Sequence, residues 1–247
     1  VIGQIVAMFL ALYFNLKKNH DVSIDMRGFR PNARIIRIIY SVGLPSIIMQ
    51  SITSVMTYGM NLILISFSAT AVTVLGIYFK LQSFIFMPIF GLNNGMIPII
   101  AYNYGSRSKK RIMDTAKLSI AIAIGIMLLG LVIFQVFTPQ LLMLFNASDS
   151  LLEIGIPALR TISLSFLFAG YCIITGSVFQ ALGNGVYSLI ISVARQLLCI
   201  LPLAYIFSHV WGLHAVWFAF PMAEIISTLL TSILFKRIYN KKIKVLE

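Results

Sequence analysis

Residues 115–137 read TAKLSIAIAIGIMLLGLVIFQVF, with no charged side chain after Lys117. As a helix rising 1.5 Å per residue, about 20 such apolar residues cross the ~30 Å hydrocarbon core of a bilayer. The rest of the chain agrees with that reading. Of 247 residues, 59% are hydrophobic and 11% charged, whereas a soluble domain is nearer a quarter charged. Mean hydropathy is +0.94. This composition excludes a soluble nucleotide-binding enzyme, a disordered tail and a nucleic-acid-binding domain. The net charge of +12 therefore needs another explanation, and its placement along the chain supplies one.

Six further apolar segments flank the first: residues 1–16, 38–67, 72–104, 151–182, 186–207 and 212–235. The segment 1–16 is short for a span and stops at Lys17-Lys18, so it reads as the end of a truncated helix. It is no signal peptide, because its basic residues follow the apolar run. The short connections at 68–71, 183–185 and 208–211 predict antiparallel neighbours. Residues 138–150 read as a mobile outer loop with an Asn-Ala-Ser sequon at 146–148. Sixteen of the nineteen Lys and Arg fall on one side of these alternating spans. They cluster at 17–37, at 107–117 and at 236–244, whereas the opposite loops hold only Asp149 and Glu153. The basic side is then cytoplasmic, with the C-terminus inside. The expected organisation is all-α: a truncated transmembrane helix (1–16), a cytoplasmic basic linker (17–37), a six-helix transmembrane lobe (38–235) and a basic cytoplasmic tail (236–247).

Within the spans, Lys80, Arg160, Arg195 and Glu224 are ionisable. Each costs about 2.5–3.5 kcal/mol at a helix centre unless it faces protein or water. Arg160 can snorkel outward, and Lys80 can either snorkel or face a cavity. Arg195 and Glu224 both fall near the midplane of consecutive antiparallel helices, where they can pair. Such a pair is either structural or responsive to a proton or cation. Polar residues recur at helical spacing as Gln50, Ser54, Thr57, Asn61 in one span and Ser188, Ser192, Arg195 in another. A third line is His214, Trp217, Pro221, Glu224, Thr228, Thr231. One such stripe can be helix–helix glue, whereas several beside midplane charge favour a hydrated cavity. Pro45, Pro88, Pro98, Pro202 and Pro221 are candidate kinks, and span 72–104 also holds Gly91, Asn93, Asn94 and Gly95. Bent helices at membrane depth are common where transporters bind and move. Cys172 and Cys199 lie in apolar runs and read as packing residues. No metal cluster, P-loop or catalytic constellation is present, so neither an enzyme nor a cofactor is expected.

Several of these stretches resemble one family. Gly91-Leu-Asn-Asn-Gly-Met-Ile-Pro98, then Ala101-Tyr-Asn-Tyr-Gly105 and the basic run to Arg111, is similar to a helix and cytoplasmic loop in the second half of multidrug and toxic compound extrusion (MATE) transporters. Gly43-Leu-Pro45, Phe179-Gln-Ala-Leu-Gly-Asn-Gly185, Arg195-Gln196 through Pro202-Leu203, and Trp211-Gly-Leu-His-Ala-Val-Trp217 with Pro221-Met-Ala-Glu224 follow the family's order. The resemblance implies a twelve-helix transporter of two lobes, exporting drugs or organic cations against inward Na⁺ or H⁺ by alternating access. This chain would be its C-terminal lobe, in the plasma (inner) membrane, with the N-terminal lobe and an organic small molecule as partners. Glu224 and Arg195 would tune coupling, with Gln50, Asn61, Lys80, Asn93, Asn94 and Gln196 lining the cavity. One branch of the family places a cation-binding Glu near Gln50 and Thr53, where this chain has no acid. Two other readings fit parts of the pattern: a lipid-linked oligosaccharide flippase, and a seven-helix receptor with Lys80 as a Schiff-base lysine.

Overall fold

The structure, a computed structural model, describes residues 2–18 and 31–246. Residues 19–30, the greater part of the expected basic linker with Arg27 and Arg30, lie outside the described residues. The chain packs as two units, Val1–Ser41 and Val42–Glu247. The first contains α1 (Ile2–Lys18), 17 residues long, and the opening turns of α2 (Ala33–Ile65). Asn32 caps that start, its side-chain oxygen accepting from the Arg34 amide at 2.9 Å.

The second unit continues α2 and adds α3 (Ala69–Gly105), α4 (Lys109–Val136), α5 (Thr138–Met143), α6 (Asp149–Ser163) and α7 (Phe166–Ala181). Then come α8 (Gly185–Val193), a π-helical stretch (Ala194–Ile200), α9 (Leu201–Val210), α10 (Leu213–Val216), α11 (Ala219–Ile238) and a π turn (Tyr239–Ile243). No strand occurs among the described residues. Among the described residues, five helices are long and apolar enough to cross a membrane, or six when α6 and α7, bent by 49°, count as one span. The fold is thus an all-α transmembrane bundle.

Among the described residues, the break at Leu164–Ser165 lies away from every expected kink, whereas two other irregularities adjoin Pro202 and Pro221. Pro45 sits inside α2, and Pro88 and Pro98 sit inside α3, yet both helices continue through them. A proline removes one i→i−4 bond, and in a long apolar helix a single missing bond need not end the element. The chain breaks instead at Leu164–Ser165, where the Leu164 and Ser165 amides reach only three residues back, to Thr161 and Ile162. A second tightened turn separates α10 from α11, with Phe218 donating to Ala215 at 3.0 Å. Between α8 and α9 the helix widens to π geometry instead. Pro202 stands in the first turn of α9, directly after the π stretch, and Pro221 in the first turn of α11, directly after the α10–α11 turn, so each adjoins an irregularity.

The core joins α3, α4, α7 and α11. Tyr78, Phe134 and Phe166 form a chain of edge-on rings, with centroids 6.5 Å and 5.2 Å apart. Phe86 and Phe220 extend it to either side. Gly170 lets α7 approach α4 closely, since a side chain there would meet the Ala123 carbonyl at 3.2 Å. Helix α7 ends on Gly183 at φ 73°, with the Asn184 amide donating back to Phe179 at 2.8 Å. That is a Schellman ending, which glycine adopts without strain.

Two further expectations change. Residues 138–150 are not simply a loop, because α5 buries Thr138 and Leu142 against the bundle. Residues 236–246, in the expected basic tail, pack on the bundle. Helix α11 runs on through Lys236 and Arg237, Ile238 and Ile243 are buried, and Lys242 Nζ donates to the Leu182 carbonyl at 2.7 Å.

Candidate functional site

Two adjoining cavities lie inside the second unit, and Arg195 lines both. The π-helical stretch supplies Arg195 and Gln196. Such a stretch inserts an extra residue into the helical repeat, which re-aims the side chains that follow, and it recurs at functional sites. Glu224 comes from the second turn of α11. Arg195 Nη1 stands 3.4 Å from both carboxylate oxygens of Glu224. The Glu224 side chain is 7% exposed and that of Arg195 27%. The acid is thus closed in, while its partner faces open space.

The first cavity, about 330 Å³, holds the carboxylate. Its walls include Gln50 and Thr53 of α2, Ser165 at the α6–α7 break, Gln196, and the aromatic rings of Tyr78, Phe79, Phe86, Phe90 and Phe220. The second, about 410 Å³, sets Asn93 and Asn94 of α3, Ser177 and Gln180 of α7, and Ser188 and Ser192 of α8 beside apolar residues such as Met49, Ile97 and Ile191. Gln50, Phe90 and Ile173 border both. Buried atoms without a hydrogen-bond partner cluster here: Arg195 Nε, Gln196 Oε1 and Asn93 Oδ1. Unpaired polar atoms in a low-dielectric interior are costly, so they mark places where a ligand or water would bind favourably.

Of the residues singled out from sequence, Arg195, Glu224, Gln50, Asn93, Asn94 and Gln196 are brought together around these cavities. Two are not. Lys80 is exposed, lines neither cavity, and lies 5.8 Å over the Phe145 ring; snorkelling explains it. Asn61 lines neither cavity, because α2 turns Gln50 and Thr53 inward rather than the whole stripe from Gln50 to Asn61. Tyr78 and Gln82 were missed, although Tyr78, Gln82, Phe86 and Phe90 recur every four residues along α3 and form its cavity face. Cys172 does more than pack. Its sulfur lies 3.3 Å from Thr228 Oγ1 and within 4 Å of the Ser227 and Thr231 hydroxyls, joining α7 to α11.

A bundle of membrane-spanning helices around a polar, charged interior is an architecture that membrane transporters share. The chain belongs to the MatE family, whose model matches residues 45–206; its members are transporters rather than enzymes. The multidrug export protein MepA of Staphylococcus haemolyticus is 26% identical over 97% of this chain and 52% of its own length. MepA of a Staphylococcus aureus strain is 28% identical over 88% of this chain and 48% of its own. Among solved structures, a MOP-superfamily transporter from Pyrococcus furiosus, described as having a binding pocket of reverse polarity, superposes with a TM-score of 0.87 at 25% identity. An outward-facing multidrug-resistance MATE transporter gives the same score and identity, covering 99% of this chain and 55% of that one. The chain thus spans about half the length of the curated relatives it matches. This membership overturns the seven-helix receptor and does not favour the flippase.

Proposed function

We propose that this chain is the C-terminal lobe of a secondary active antiporter that exports drugs or organic cations. It would work with an N-terminal lobe in the plasma (inner) membrane, its C-terminus in the cytoplasm. The observation that carries the reading is the Arg195–Glu224 pair, set where an aromatic cavity meets a polar one. An organic cation in the first cavity gains from ring faces and from the carboxylate. An incoming Na⁺ or H⁺ competes with that cation and with Arg195 for Glu224. Whichever occupant neutralises the acid weakens its hold on Arg195, so occupancy is tied to the packing of α8–α9 against α11. A lobe that shifts with the occupant of one carboxylate is what ion-coupled exchange requires.

The test is export of a fluorescent cationic dye from cells carrying the full-length protein, with the Na⁺ or H⁺ gradient collapsed in turn. Gradient-dependent export is expected, and the gradient that matters identifies the coupling ion. Glu224→Gln should reach the membrane in normal amount but export dye no faster than cells without the protein. Unchanged export by that variant removes Glu224 from the mechanism.

A further inference from the structure

The second cavity differs in chemistry from the first, and the difference concerns charge. No Asp or Glu lines it, and Arg195 is its one charged residue. An arginine presents five N–H donors in a planar fork. Only Nη1 is engaged with Glu224, at 3.4 Å to each oxygen, well beyond the roughly 2.7–2.9 Å of a tight charge-assisted bond. Nε is buried with no partner. The same cavity is lined by the amides of Asn93, Asn94 and Gln180 and the Ser192 hydroxyl, each of which can donate. Asn93 is 6% exposed, and its Oδ1 is also unpartnered.

A cation placed here would face Arg195 with no counter-charge on the walls. An apolar guest would remove water from these amides and give nothing back. An anion would receive charge-assisted bonds from the guanidinium and neutral ones from the amides. We propose that this cavity is an anion site that takes the carboxylate of a small organic anion, held by Arg195 from the cavity that Glu224 does not reach. As a cargo site it rests on the transporter reading above; as a binding site it can fail alone.

The placement has a consequence for coupling. Glu224 and a bound carboxylate would share one guanidinium, so each weakens the other's hold. A cation or proton on Glu224 releases Arg195 to the anion. By linkage, a bound anion favours the neutralised acid to the same degree. The protein would then accept anionic or doubly charged organic molecules as well as cations.

The experiment is calorimetric titration of the purified full-length protein in detergent with salicylate. Salicylamide serves as the neutral isostere and benzyltrimethylammonium as the cation. Salicylate should bind about tenfold or more tightly than salicylamide, the scale of a charge-assisted bond. Arg195→Gln should abolish salicylate binding. Asn93→Leu, which leaves the ion pair intact, should weaken it severalfold. Glu224→Gln should strengthen it, because the competing carboxylate is gone. Equal binding of the amide, salicylate binding retained by a folded Arg195→Gln protein, or weaker binding in Glu224→Gln would each overturn the site. If cationic dye is exported but salicylate does not bind, the anion site falls and the transporter reading stands. Salicylate binding without dye export gives the reverse.

Discussion

Helices α2 and α3 run on through Pro45, Pro88 and Pro98, whereas the stretch from α6 to α11 breaks three times, twice just ahead of a proline (Pro202, Pro221) and once, at Leu164–Ser165, with none at the break. The difference lies in where the released backbone groups go. At Leu164–Ser165 the tightened turn frees the Arg160 carbonyl, which then accepts from Gln135 Nε2 of α4 at 2.8 Å and from Ser163 Oγ at 2.8 Å. Ser165 Oγ returns to the Ile162 carbonyl at 2.7 Å. Inside a membrane, a break persists only where such partners exist. The broken region also places every charged residue of the cavities: Arg195 on the π-helical stretch and Glu224 just past the α10–α11 turn. The unbroken helices give the cavities most of their aromatic walls and the amides of Gln50, Asn93 and Asn94. Continuous helices thus supply one side of the cavities, and the irregular elements supply all of their charge.

The sharpest way to break this division is Arg195→Leu. It leaves Glu224 closed in without its counter-charge, which should cost about 3–5 kcal/mol and appear as a large fall in the melting temperature of the purified protein. The double substitution Arg195→Leu with Glu224→Leu should recover most of that loss. A single variant no worse than the double would mean that the pair is not energetically coupled. Next in size is Gln135→Leu, which strips the Arg160 carbonyl and Ser163 hydroxyl of a donor. A stability loss of about 1–3 kcal/mol is expected, with hydrogen exchange rising around Leu164. If exchange rises no more there than elsewhere, the bend is held by packing rather than by its caps.

These contrasts explain what was legible in the sequence. Span number follows from apolar run length, and the basic clusters order the spans, because both are additive properties of composition. The charged pair was legible too, since Arg195 and Glu224 stand out against an apolar background and sit at matching depth. The break at Leu164–Ser165 was not. Pro88 is a local signal, but the bend at Leu164 depends on Gln135, which lies 25 residues before Arg160. Gln82 escaped because the i+4 line it shares with Tyr78, Phe86 and Phe90 is mostly aromatic, and an aromatic line reads as core. Lys80 and Asn61 misled because depth along a helix says nothing of which way a side chain faces.

The smallest effect tests the other half of the comparison. In α3 the helix runs through Pro88, so any cost of the missing bond is already carried by an intact element. Pro88→Ala restores an amide that can donate to the Phe84 carbonyl, four residues back in the same helix. If α3 is a wall and not a hinge, the variant should melt at the wild-type temperature or slightly above, a change below about 1 kcal/mol, as expected for a proline whose φ the helix already accommodates. Dye export should persist. Loss of export with unchanged melting would show that α3 must bend at Pro88 during transport, and the split between continuous helices and irregular charged elements would then fail at its simplest point.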